Sequence, residues 1–145
     1  MDICCYIDKL IGRKVLTSRA GGGAGSILLI ETEGESFFFI WCDWRIEKGD
    51  HVISTSLDDT TAVTGPIARS AKLLDNKAIL SIEMTKQYDL TIKFEEEYCL
   101  KLFCLISCSR SEESVLDCNW ELSFPDEDLS FEITNNFEIQ TSKYY

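Results

Sequence analysis

Three blocks of this sequence occur twice, in the same order. Lys9-Leu10-Ile11-Gly12-Arg13-Lys14-Val15-Leu16 matches Lys72-Leu73-Leu74-Asp75-Asn76-Lys77-Ala78-Ile79. Residues 27–40 align with residues 89–102, each with an acidic turn in the middle, and Cys42-Asp43-Trp44-Arg45-Ile46 aligns with Cys118-Asn119-Trp120-Glu121-Leu122. The period is about 62 to 63 residues across helix and hairpin, and two copies are too few for a solenoid. Duplication within one domain is the reading, with pseudo-repeats over residues 3–46 and 66–122. A chance match is the alternative.

Each half reads as a helix followed by strands. Asp2 suits the cap of a helix whose Ile3, Ile7, Leu10 and Ile11 form one apolar stripe, and Gly12 suits its stop. Gly65-Pro66 starts the second helix, since proline fits the first helical position, and Ile67, Ala68, Ala71 and Leu74 share a face. Strands are expected over residues 15–18, 27–32, 36–44, 51–56, 78–84, 89–94, 99–106 and near 131–139. The run Phe37-Phe38-Phe39-Ile40-Trp41 has no polar alternation, which predicts a central strand buried on both faces. Leu90-Thr91-Ile92-Lys93-Phe94 alternates and predicts one wet face. The expected fold is α+β, mainly antiparallel β and barrel- or sandwich-like, with a helix beside each half and a single domain over residues 1–145. Between its hairpin and its tryptophan block, the second half carries about a dozen extra residues centred on 107–117. A surface insertion on a repeated scaffold is a common place for function to be added.

A chain 45% hydrophobic and 11% aromatic holds enough apolar residues for a sizeable core. The longest apolar run, residues 37–42, is too short to span a bilayer. Asp2 and Asp8 interrupt the first residues, so no secretory signal is expected. Seven cysteines, an odd number, then read as reduced thiols in a cytoplasmic protein. The formal net charge of −11 disfavours direct contact with a phosphate backbone and favours steered encounter with a basic protein.

Candidate chemistry is sparse. Residues 20–26, Ala-Gly-Gly-Gly-Ala-Gly-Ser, run into a strand and lack the Gly-Lys-Ser/Thr that opens a helix in a phosphate loop, so a flexible connection is the better reading. His51 is the only histidine, has no nucleophile motif beside it, and reads as a residue at the start of a strand. Cys104 and Cys108, with adjacent Cys4 and Cys5, do not give the two close pairs of a structural zinc site. Trp44 and Trp120 read as matched core residues in preference to binding aromatics. Acidic clusters recur at Glu33/Glu35, Asp58/Asp59, Glu95 to Glu97, Glu112/Glu113 and Asp126 to Asp128, without the spacing of a calcium loop. No cofactor, metal, small-molecule substrate or catalytic residue is expected.

The series Trp44-Arg45-Ile46, Asp58-Asp59, Lys72-Leu73-Leu74, residues 89–94, Leu100-x-Leu102 and Trp120-Glu121-Leu122-x-x-Pro125-Asp126 resembles a family of small, uncharacterised bacterial domains. These occur among immunity proteins of polymorphic toxin systems, including contact-dependent growth inhibition. The resemblance covers residues 40–127 and implies no enzymatic activity. The Gly-rich loop, the cysteines and the 107–117 insertion lie outside it. With the charge, it implies an immunity protein that neutralises a cognate basic toxin domain, such as a nuclease, through an acidic surface. The expected partner-binding residues are Glu112, Glu113 and Asp117 in the insertion, with Asp126, Glu127 and Asp128 after Trp120. Glu33/Glu35 and Glu95 to Glu97 are expected to be solvated turn tips. An intracellular interaction or oligomerisation module without a toxin is the alternative.

Overall fold

The computed structural model of the chain describes residues 2–106 and 118–143. Its strands form two antiparallel sheets, with a helix in each half of the chain, in a sandwich-like α+β arrangement. The elements in chain order are α1 (Ile3–Lys9), β1 (Val15–Arg19), β2 (Leu28–Thr32), β3 (Ser36–Ile40), β4 (Asp43–Lys48) and β5 (His51–Thr55). They continue with α2 (Pro66–Lys72), β6 (Ile79–Met84), β7 (Leu90–Phe94), β8 (Tyr98–Phe103), β9 (Cys118–Phe124), β10 (Leu129–Thr134) and β11 (Ile139–Ser142).

The two sheets exchange strands. One has six strands in the order β1-β2-β3-β9-β10-β11, the other five in the order β5-β4-β8-β7-β6. The first half of the chain therefore builds β1 to β3 in one sheet and sends β4 and β5 across to β8 in the other. The second half builds β6 to β8 and sends β9 and β10 back to β3. The crossing splits the single strand expected over residues 36–44: Trp41 and Cys42 leave the ladder, and their N–H groups both donate to Asn119 O at 2.9 Å. The chain must change sheets there, which no local pattern encodes. Likewise the strand expected near residues 131–139 is a hairpin, β10 pairing β11 from Ser130–Ser142 to Ile133–Ile139.

Period-two alternation sends one face of each sheet inward. Leu28, Ile30, Phe38, Ile40, Trp120, Leu122, Phe131 and Ile133 of one sheet join Trp44, Ile46, Ile79, Leu90, Ile92, Leu100 and Leu102 of the other in one buried cluster. Ile3, Ile7 and Leu10 of the α1 segment and Ile67, Ala71 and Leu74 of the α2 segment complete it. Asp2 caps α1, its carboxylate accepting the Cys4 N–H at 2.9 Å, and Gly65 with Pro66 begins α2. Ile11 departs from the expected stripe and is exposed, because the helix ends at Lys9 before a further turn would bring it inward.

Where the segments leading into β1 and β6 meet, the backbone hydrogen bonds are reciprocal, one residue out of step with the sequence match. The Gly12 N–H donates to Ile79 O at 2.7 Å and the Asn76 N–H to Val15 O at 2.8 Å; the Val15 N–H donates to Lys77 O and the Ile79 N–H to Arg13 O, both at 2.9 Å. Between these pairs lies the antiparallel bridge Lys14–Ala78. The Lys14 N–H donates to Glu33 Oε1 and the Ala78 N–H to Glu95 Oε1, each at 2.8 Å. Trp44 and Trp120 are both fully buried. The Trp44 Nε1–H donates to Ser26 O at 2.7 Å and the Trp120 Nε1–H to Tyr88 O at 2.9 Å. Burial of each indole contributes on the order of 4–6 kcal/mol of gross stabilisation, and its N–H, which would be costly unpaired, is satisfied.

The Gly-rich stretch is a tight, packed turn, contrary to the flexible connection expected. Gly21, Gly22 and Gly25 have φ of 87°, 60° and 62°, values that L side chains rarely adopt. The Gly21 N–H donates to Gly25 O at 2.8 Å and the Gly22 N–H reaches Thr60 O at 2.6 Å. A Cβ on Gly21 would lie 3.0 Å from Ala68 Cβ, so the loop needs glycine to lie against α2.

Candidate functional site

The face of the six-stranded sheet turned away from the core is the most distinctive surface of the fold. Register places one row of residues straight across it: Arg19, Leu29, Phe39, Glu121, Glu132 and Gln140 on successive strands. The neighbouring row is Thr17, Glu31, Phe37, Ser123, Ser130 and Ser142. Phe37, Phe39 and Trp41 are half-buried. β3 is central in its sheet as expected, but only its Phe38 and Ile40 side is fully buried. Phe39 and Trp41 stack at 4.9 Å between centroids, and Phe37 meets Phe39 edge-on at 6.4 Å.

On the β1–β2 side this ladder runs into an apolar cleft of ≈ 620 Å3. Leu29 and Phe39 form its floor, the Gly-rich turn and Ala68 of α2 its side, and Ala62 and Val63 its rim. Val63 is exposed and holds φ at 66°, an uncommon conformation for a β-branched residue. Arg19 and Lys72 also line the cleft, and Arg19 is engaged by Glu31 at 2.9 Å.

On the β9–β10 side the face is anionic. Glu121 is held in place: its Oε1 accepts the Ser123 hydroxyl at 3.0 Å and the Ser130 hydroxyl at 2.6 Å. Glu132 is its direct cross-strand neighbour. Partial burial, and then the charge of Glu121, push the Glu132 carboxyl above its ordinary value. Among the described residues neither carboxylate is ion-paired.

The corresponding face of the five-stranded sheet is built differently. Its rows are Thr55, Arg45, Lys101, Thr91, Glu83 and Val52, Glu47, Cys99, Lys93, Ser81. Glu47 Oε2 is paired with Arg45 at 2.6 Å and with Lys101 at 3.4 Å. Burial alone would raise the Glu47 carboxyl, but hydrogen bonds from the two cations outweigh it and hold the group below its usual range. One sheet thus neutralises its own face, while among the described residues the other leaves two carboxylates without an ion pair beside half-buried rings.

Of the residues expected to bind a partner, Asp126, Glu127 and Asp128 lie in the turn joining β9 to β10, where Pro125–Glu127 form a 3-10 turn and Asp128 has φ of 52°. This turn borders the outer face, Pro125 sharing a surface depression with Glu31 and Phe37. Glu127 is paired with Lys9 at 3.1 Å. Glu112, Glu113 and Asp117 lie outside the described residues. Glu33 and Glu95 are not simply solvated tips, since each carboxylate closes a backbone N–H of the other strand segment, and Glu96 pairs with Lys77 at 3.0 Å. His51 is exposed at the start of β5. Among the described residues no group of three or more metal-ligating side chains is gathered, and no helix is long and apolar enough to cross a membrane.

The sequence held one unused pointer to this face: in the aligned segments that become β3 and β8, Phe37 and Phe39 stand against Cys99 and Lys101. Comparison of the chain with family models, curated proteins and solved structures finds no match.

Proposed function

We propose that this chain is a non-catalytic protein-binding module of the immunity type, built from two copies of one helix-and-strands unit, that binds and neutralises a basic toxin domain in the cytoplasm. The observation that carries the reading is charge. A net charge of −11 on 145 residues includes carboxylates on an accessible turn, Asp126 to Asp128, next to a sheet face with half-open aromatic rings. An anionic surface of this kind steers a cationic protein into encounter and can cover the groups a nuclease toxin uses for phosphates. The test is to look for a basic toxin domain encoded beside the gene and to co-express the two. Protection of the cells and co-purification of the two chains are expected; cells killed in the presence of folded protein would overturn the reading.

A second reading, an oligomerisation module without a toxin, draws on Val52 and Leu80. Both are exposed and both lie on edge strands, β5 and β6, of the five-stranded sheet. Exposed apolar edges invite pairing between chains. Sedimentation over a range of concentrations separates the two: the immunity reading expects no dimer dependent on these residues.

A further inference from the structure

The two outer faces are made on similar strands, yet among the described residues only one pairs a carboxylate with two cations. On the five-stranded sheet, Glu47 has Arg45 and Lys101 against it. On the six-stranded sheet, Glu121, which the sequence match sets against Arg45, faces Phe39 on one side and Glu132 on the other. Two neighbouring carboxylates without a cation cost stability, and partial burial, with the charge of Glu121 added to it, raises the Glu132 carboxyl. Glu121 is nevertheless fixed by two serine hydroxyls on one oxygen, which orients the carboxylate before any partner arrives. Beside it stands the stacked Phe39–Trp41 pair, whose π faces attract a guanidinium or ammonium. One strand further lies Leu29 and the apolar cleft.

We propose that this face docks a cationic segment of the partner protein, with an arginine or lysine seated on Glu121 and Glu132 against Phe39, and an apolar side chain of the same segment in the cleft at Leu29. The occupant is fixed by charge complementarity, since only a cation relieves the paired carboxylates. Leu29 and Glu121 are two strands apart, about 10 Å at the usual spacing of neighbouring strands. That is the span of three residues in a polyproline II conformation, whose three-residue turn sets positions i and i+3 on one face. The proposal rests on the basic-partner reading and names the surface that serves it; the turn at residues 125–128 then lies at the border of the contact.

The probe is a synthetic peptide carrying leucine and arginine three residues apart in a glycine-serine background, with a second peptide in which glutamate replaces arginine. Trp41 is half-buried while Trp44 and Trp120 are fully buried, so the change in tryptophan emission on titration reports on this face. Amide shifts in an isotope-labelled sample map the contact. The double variant Glu121→Gln/Glu132→Gln is expected to bind the arginine peptide about tenfold or more weakly. The variant Asp50→Asn/Glu83→Gln removes the same charge from exposed positions in the β4–β5 turn and on β6 of the other sheet and is expected to stay within about twofold. Phe39→Leu keeps apolar bulk without a ring and is expected to weaken binding about threefold, which covers failure of the double variant to fold. Equal weakening by both double variants overturns this face as the docking surface and leaves a basic partner standing. Equal binding of the glutamate peptide overturns the basic-partner reading as well. Failure of the native protein to bind the arginine peptide overturns the proposed surface, while co-purification still decides the partner.

Discussion

At the scale of single residues, the fold depends on a few backbone positions that side chains cannot replace. Gly21→Ala would place a Cβ at 3.0 Å from Ala68 at φ of 87°, and it is expected to cost about 1–3 kcal/mol in urea unfolding. Gly23→Ala, where nothing lies within 4 Å and φ is not in the left-handed range, is the control and should be close to neutral. Glu33→Ala and Glu95→Ala each remove the acceptor of a backbone N–H and should cost about 1 kcal/mol apiece. Glu132 gives a pH signature. Its carboxyl titrates above the unfolded-state value, so the native state binds more protons in that window and stability falls as pH rises through it. Glu132→Gln should therefore be more stable than the native protein at about pH 7, with the gap closing toward about pH 4 as the unfolded-state carboxyl protonates. A constant gap across both would remove the electrostatic explanation. Some of this was legible in the sequence: Asp2, Gly12 and Gly65-Pro66 mark helix ends through local chemistry. The packed Gly-rich turn was not, because its glycines answer to Ala62 and Ala68, contacts far away in the chain.

At the scale of elements, periodicity located most strands. It failed where tertiary routing overrides local pattern. Residues 36–44 form one apolar run, yet the chain turns at Trp41 and Cys42 to enter the other sheet. The run also hid the difference between an inward Phe38 and an outward Phe39, since alternation cannot be seen when both faces carry apolar residues. The candidate face was legible only through comparison of β3 with β8, and the carboxylate pair only through strand order, because Glu121 and Glu132 are brought together by the β9–β10 register. The two tryptophans test the equivalence of the halves. Trp44→Phe and Trp120→Phe each lose one buried hydrogen bond, to Ser26 O and Tyr88 O, and part of a large side chain. Both should destabilise by about 1–3 kcal/mol, and the two values should agree within about 1 kcal/mol. Widely different thermal shifts would mean that the tryptophans are not in equivalent roles.

At the scale of the molecule, strand exchange makes the halves interdependent. Residues 1–57 alone would leave β3 without β9 and β4 without β8. That fragment and its complement, residues 58–145, are each expected to be unfolded by circular dichroism and NMR dispersion, and the intact chain to unfold in one transition seen equally by tryptophan emission and far-ultraviolet signal. A fragment that folds by itself would contradict the interlocked core. The same architecture leaves the outer faces free to differ, since the buried cluster is made by the inward residues, and on one of them, among the described residues, carboxylates without an ion pair and half-buried rings collect. The central claim is that this acidic molecule acts by binding a basic protein. Its most direct test is the association rate with a basic toxin domain found to co-purify with it, measured by stopped flow at two ionic strengths. The account predicts tight binding whose association rate falls steeply with added salt, with Glu121→Gln/Glu132→Gln slower at low salt and less salt-dependent. No association, or a rate indifferent to both salt and substitution, would contradict it.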